Sequence, residues 1–182
     1  MKDRVFDPQR LDIEAFARQS GVAQGSWDTQ TLQRLRELAA PDYTHPWPAL
    51  AWQLEGECIT PRGADAQYWL RLTAQTEVPL TCQHCLQPVL QQLDVERRFR
   101  FVRDEALAAE LDLDSEHEVL SYTGNVDALE LVEDELLLAL PLVPRHDQCQ
   151  EPLSHHDELP EEAEAEAAPH PFAVLAALKK DK

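Results

Sequence analysis

Tyr68-Trp69-Leu70-Arg71-Leu72-Thr73-Ala74-Gln75-Thr76-Glu77-Val78-Pro79-Leu80 decides the fold, because its apolar residues recur at every second position. Tyr68, Leu70, Leu72, Thr76, Val78 and Leu80 point one way, and Arg71, Thr73, Gln75 and Glu77 point the other. That period predicts a half-buried strand. Upstream, Leu50, Trp52, Leu54 and Cys58 alternate with Gln53, Glu55 and Glu57, and Arg62-Gly63-Ala64-Asp65 supplies the connection. Downstream, Val89, Leu93, Val95, Phe99 and Phe101 are opposed by Gln92, Asp94, Glu96, Arg98 and Arg100. Three long strands with short connections predict an antiparallel meander. Glu118–Tyr122 is a candidate short fourth strand.

The flanks read differently. Leu11, Ile13, Phe16 and Ala17 recur near helical spacing and stop before Gly21. A second helical run follows Ser26 or Asp28, with Leu32, Leu35 and Leu38 on adjoining faces, and ends at Pro41. After the strands, Asp104–Asp114 holds a short helix carrying Leu107 and Leu111. A firmer helix starts at Asn125 or Asp127, with Glu130 three residues beyond Asp127 as in a capping box. Leu129, Val132, Leu136 and Leu140 form its apolar stripe, and Pro141 and Pro144 stop it. Beyond Gln150, Glu158–Pro169 is acidic and of low complexity, and Pro171–Leu178 is a short apolar run before a lysine-rich end. That run is either a docking element for its own domain or a linear motif for a partner. The expected class is α+β: an antiparallel β-meander core of three to four strands, N-terminal helices, one long acidic-faced helix and an irregular C-terminal tail. The expected divisions are a helical segment packing on the core at 1–48, the meander and helix at 49–150, and the tail at 151–182.

Composition narrows the function classes. The 182 residues include 34 Asp and Glu against 16 Lys and Arg, for a formal charge of −18. Twelve carboxylates lie between Asp104 and Glu135 with no Lys or Arg among them. Such a surface repels phosphate and attracts basic proteins, so direct gripping of nucleic acid by the whole surface is disfavoured. No apolar run is long enough for a membrane-spanning helix, and the N-terminus has no apolar signal core. The expectation is a cytoplasmic protein with no membrane contact and no small-molecule substrate.

Three groups of side chains are candidates for chemistry. Cys82 and Cys85, two residues apart in the connection between the second and third strands, can converge on one metal, form a redox pair, or shape the turn as reduced thiols. Cys149, His146 and Asp147 are candidates to complete a four-donor site, for which zinc is the fitting ion. Arg97, Arg98, Arg100 and Arg103, interleaved with Phe99 and Phe101, have the composition of an RNA-binding strand. The competing reading buries the two phenylalanines and pairs Arg98 and Arg100 with Glu55, Glu57 or Glu77 across the strands. Glu130, Glu133, Asp134 and Glu135 on the long helix are read as a solvated, partner-facing surface, since adjacent helical residues lie about 100° apart and cannot converge on one substrate. No nucleophile–base pair, phosphate loop or metalloprotease helix is recognisable, so the chain is expected not to be an enzyme.

Leu80-Thr81-Cys82-Gln83-His84-Cys85-Leu86-Gln87-Pro88 and Leu131–Asp147, together with Leu159-Pro160-Glu161-Glu162 and Pro171-Phe172-Ala173-Val174-Leu175, resemble in matching order the motifs of the YceD family of bacterial proteins. The resemblance covers most of the chain and is less specific before residue 50. It implies a role in the synthesis, processing or stability of large-subunit (23S) ribosomal RNA, and it brings no catalytic residues with it. Joined to the charge, it leads to the expectation of a basic ribosomal protein or large-subunit assembly factor as the partner, with ribosomal RNA engaged indirectly. The alternative is direct binding through the Arg97–Arg103 strand.

Overall fold

The computed structural model describes residues 6–149. The class is α+β, and the sheet has five strands rather than three or four. The chain runs through α1 (Ile13–Arg18), β1 (Val22–Trp27), α2 (Gln33–Glu37), β2 (Leu50–Ile59), β3 (Gln67–Thr81), β4 (Pro88–Val102), α3 (Glu105–Asp112), β5 (Glu118–Ser121) and α4 (Ala128–Leu138). The spatial order is β1-β2-β3-β4-β5. β2, β3 and β4 form the expected antiparallel meander, β1 extends it as an unexpected antiparallel edge strand, and the expected short strand β5 pairs with β4 in parallel. A parallel neighbour needs a crossover, which α3 supplies.

The alternation that opened the reading sets the register. Leu54 faces Leu72, Leu70 faces Phe99 and Tyr68 faces Phe101, so one face of the sheet is continuous apolar surface. Leu54, Leu70, Leu72, Val78 and Phe99 are fully buried against Ile13 and Phe16 of α1, Leu35 of α2, and Val132 and Leu136 of α4. Asp12, Asp104 and Asp127 cap α1, α3 and α4, each accepting from backbone N–H groups of the first turn. These caps satisfy donors that a helix cannot satisfy internally.

β1 is the main departure from expectation, which placed only helices before residue 48. Val22-Ala-Gln-Gly-Ser-Trp27 has no apolar period because it is an edge strand, most of its side chains exposed or half-buried. Its place is set by pairing with β2 and by Trp27, which stacks on Trp52 with ring centroids 4.4 Å apart. The sheet therefore begins inside residues 1–48. The expected tail at 151–182, with its apolar run at Pro171–Leu178, lies outside the described residues. Among the described residues, no helix is long and apolar enough to cross a membrane.

Gly56 in β2 is where α1 meets the sheet most closely. A Cβ there would sit 2.7 Å from Phe16 Cδ1, 2.9 Å from the Phe16 carbonyl oxygen and 3.0 Å from the Ala17 Cα. Two of those atoms are backbone and cannot turn aside. Gly56→Ala is therefore expected to cost about 2 kcal/mol by overpacking, seen as a lower urea midpoint with an unchanged m-value.

Candidate metal centre

The β3–β4 turn is built to bring two thiols to one side. Leu86 N–H donates to the Cys82 carbonyl at 2.9 Å, and Cys82 N–H donates to the Gln87 carbonyl at 3.0 Å. Leu86 adopts φ +60°, in the left-handed region that closes such turns. The chain leaving α4 is then tied to the same turn, since Gln83 N–H donates to the Pro144 carbonyl at 2.9 Å. Two residues later His146 arrives, and Cys149 follows.

The donor atoms of Cys82, Cys85, His146 and Cys149 all lie within 4.8 Å of one another. Cys82 Sγ is 3.7 Å from Cys149 Sγ, Cys85 Sγ is 3.4 Å from His146 Nδ1, and Cys149 Sγ is 4.0 Å from the same nitrogen. A tetrahedral ion with bonds of about 2.3 Å to sulfur and about 2.0 Å to nitrogen needs edges of roughly 3.5–3.8 Å. The 3.4 and 3.7 Å separations lie close to that figure, the 4.0 Å one is slightly longer, and every other pair lies within 4.8 Å, so a small closure of the cluster would seat the ion. His146 Nε2 lies 3.0 Å from the Pro88 carbonyl oxygen. A carbonyl only accepts, so Nε2 carries the proton and Nδ1 turns its lone pair to the sulfurs. This is the outer contact that metal-bound histidines use to fix tautomer and ring orientation.

The electrostatics agree with a cation-binding role. Burial pushes the Cys82 thiol up, but backbone N–H groups of Cys85, His146 and His84 outweigh it and bring the thiol down to about 5. Cys149 is pushed up to about 11, first by burial and then by its contacts with Cys82 and Cys85. The cluster thus holds one ready thiolate, Cys82, beside a Cys149 thiol that keeps its proton until a cation replaces it. Cys58, half-buried in β2, stands apart from this group.

The other two groups of candidates are placed differently. Glu133 and Glu135 are buried, which corrects the reading of a wholly solvated acidic face. Glu133 Oε1 accepts from the backbone N–H groups of Arg34 at 2.8 Å and Leu35 at 3.1 Å, and Oε2 meets Arg34 Nε at 3.2 Å. Leu32, the N-cap of α2, has no side-chain oxygen to offer, so Glu133 caps α2 from another helix. Glu135 Oε2 binds Arg97 Nε at 2.9 Å, and Asp134 pairs with Arg34. Glu130 is exposed.

The arginines are largely engaged within the chain. Arg97 holds Glu135, Arg98 pairs with Glu57 and lies 4.5 Å over the Trp69 ring, and Arg103 pairs with Glu14. Arg100 is half-buried, and its Nε has no acceptor among the described residues. Phe99 and Phe101 are core. Sequence reasoning missed Arg34 and the Pro88 carbonyl as supporting groups. Neither leaves a pattern, because one acts across 99 positions and the other is backbone.

A family model described as "Large ribosomal RNA subunit accumulation protein YceD" matches residues 70–179. A Haemophilus influenzae (strain ATCC 51907 / DSM 11121 / KW20 / Rd) protein of the same description is 39% identical over 110 residues, 58% of this chain and 62% of that protein. The match thus spans less than two thirds of the relative's length. No solved structure matches the chain. The matched stretch contains all four donors of the cluster, all of β4 and β3 from Leu70 onward.

Proposed function

The chain belongs to the YceD family, and on that premise we propose that it is a non-catalytic ribosome-biogenesis factor of the cytoplasm, supporting synthesis, processing or stability of 23S ribosomal RNA. It acts through a basic ribosomal protein or large-subunit assembly factor, with ribosomal RNA engaged indirectly. The observation that carries the partner is the exposed acidic belt. Asp104, Glu105, Glu110, Asp112, Asp114 and Glu116 are all at the surface, in a stretch without Lys or Arg. Such a belt steers a cationic partner inward and phosphate away.

The ion suited to the cluster is zinc, held by Cys82, Cys85, Cys149 and His146. Four protein donors fill a tetrahedral shell and leave no open position for a reacting water, which is the pattern of a structural site. In this role it staples the segment after α4 to the β3–β4 turn. Direct RNA binding by Arg97–Arg103 is the weaker reading, since three of those guanidinium groups already face carboxylates.

Cells lacking the protein are expected to show a reduced ratio of 23S to 16S ribosomal RNA, restored by the wild-type chain. An unchanged ratio, with normal large-subunit precursors, would remove the role in ribosomal RNA.

A further inference from the structure

β5 ends the sheet, and the apolar face there is only partly covered. Glu118 and Leu120 stand opposite Phe99 and Phe101 in the register, so they continue the face on which α4 packs. From α4, Leu131, Asp134, Glu135 and Leu138 line the other side of a groove of about 450 Å³. Their i, i+3, i+4, i+7 spacing is one helix face. Leu138 is 73% exposed, which leaves a large apolar side chain unpartnered at the groove's mouth.

We propose that this β5–α4 groove docks a segment of a partner protein carrying large apolar anchors flanked by Lys or Arg. The proposal rests on the protein-partner reading above and says where that partner sits.

Charge complementarity selects this occupant. The rim is acidic, and its nearest arginines are already used: Arg34 on Asp134 and Arg97 on Glu135. Glu118 has no ion pair among the described residues. Its carboxyl is held above the usual range, first by burial and then by Glu135 and Asp112, with Arg97 acting the other way. A cation from outside relieves that crowding, while the apolar floor takes the anchors. Nucleic acid would bring phosphate to the same rim. A second copy, also at −18, would bring an identical one.

The test uses the full chain and synthetic peptides of roughly 15 residues, one alternating leucine with lysine, one with leucine replaced by serine and one with lysine replaced by glutamate. Nuclear magnetic resonance shifts on adding the first peptide are expected at residues 118–121 and 131–138. Leu138→Glu and Glu118→Lys, with unchanged circular dichroism, are each expected to weaken binding about tenfold, as are both peptide replacements. Leu90→Glu, on the opposite face of the sheet, is expected to leave binding unchanged. Equal binding of the serine peptide, shifts centred elsewhere, competition by single-stranded RNA at these residues, or a change in molecular mass with Leu138→Glu would each overturn the groove. Recovery of ribosomal proteins separates the two levels. If wild type and Leu138→Glu retrieve the same basic protein equally, the groove falls and the partner reading stands. If wild type retrieves none, both fall.

Discussion

Replacing Cys82 with serine is expected to remove one bound zinc per chain and lower Tm by about 10 °C, the size expected when a ligand held far above its dissociation constant is lost. The backbone N–H groups of Cys85, His146 and His84 favour the Cys82 thiolate, so this donor is the readiest to bind a cation. Serine cannot supply a thiolate, and a three-donor remainder binds zinc far more weakly. A chelator should reproduce the fall in wild type and add nothing to the variant. Cys58→Ser, outside the cluster, should retain the zinc. In the metal-free chain Cys82, brought down to about 5 from an ordinary 9.0, contributes stability that is complete above 9.0 and lost as pH falls through about 5. Binding a cation to three thiols and an imidazole displaces protons, so zinc occupancy and the stability it carries are expected to fall as pH falls. Elemental analysis of purified protein across pH measures this. A wild-type chain with no zinc, whose Tm ignores chelator, contradicts the account of the centre.

The second large effect is expected at Glu133. Glu133→Ala removes the oxygen that accepts from Arg34 N–H and Leu35 N–H, leaving two donors at the start of α2 without a partner. Breaking charged hydrogen bonds of this kind is expected to cost about 3 kcal/mol. Glu133→Gln keeps one acceptor and should cost less. Asp134→Ala, which breaks a half-exposed ion pair, should stay within about 1 kcal/mol. Denaturant midpoints of the three variants decide it. If Glu133→Ala costs no more than Asp134→Ala, the remote cap is not the role of this carboxylate.

These two sites mark what the sequence could and could not tell. The Cys82/Cys85 pair and His146/Cys149 were legible because few residue types bind a soft cation, and their chemistry singles them out at any separation. How they meet was not legible. It depends on Leu86 turning left-handed and on the Pro144 and Pro88 carbonyls, none of which has a side-chain signature. Glu133 and Glu135 looked solvated because an acidic triplet on a helix usually is. Their burial depends on Arg34 and Arg97, 99 and 38 positions away.

The sheet shows the same division. β2, β3 and β4 were readable because a face buried against helices must alternate, and Asp127 was readable as the cap of α4. β1 escaped because an edge strand that buries little has no period to read. β5 was visible as a short strand, yet its parallel direction follows from the α3 crossover, which period does not encode.

The central claim is that an acidic protein serves ribosomal RNA through a basic protein partner. The most direct measurement is recovery of the tagged full chain from cells, with and without ribonuclease, over a series of salt concentrations. The account predicts a basic large-subunit protein or assembly factor that survives ribonuclease and is lost as salt rises, as expected of charge-steered contact. Recovery of ribosomal RNA fragments alone, or loss of every partner on ribonuclease treatment, would contradict it.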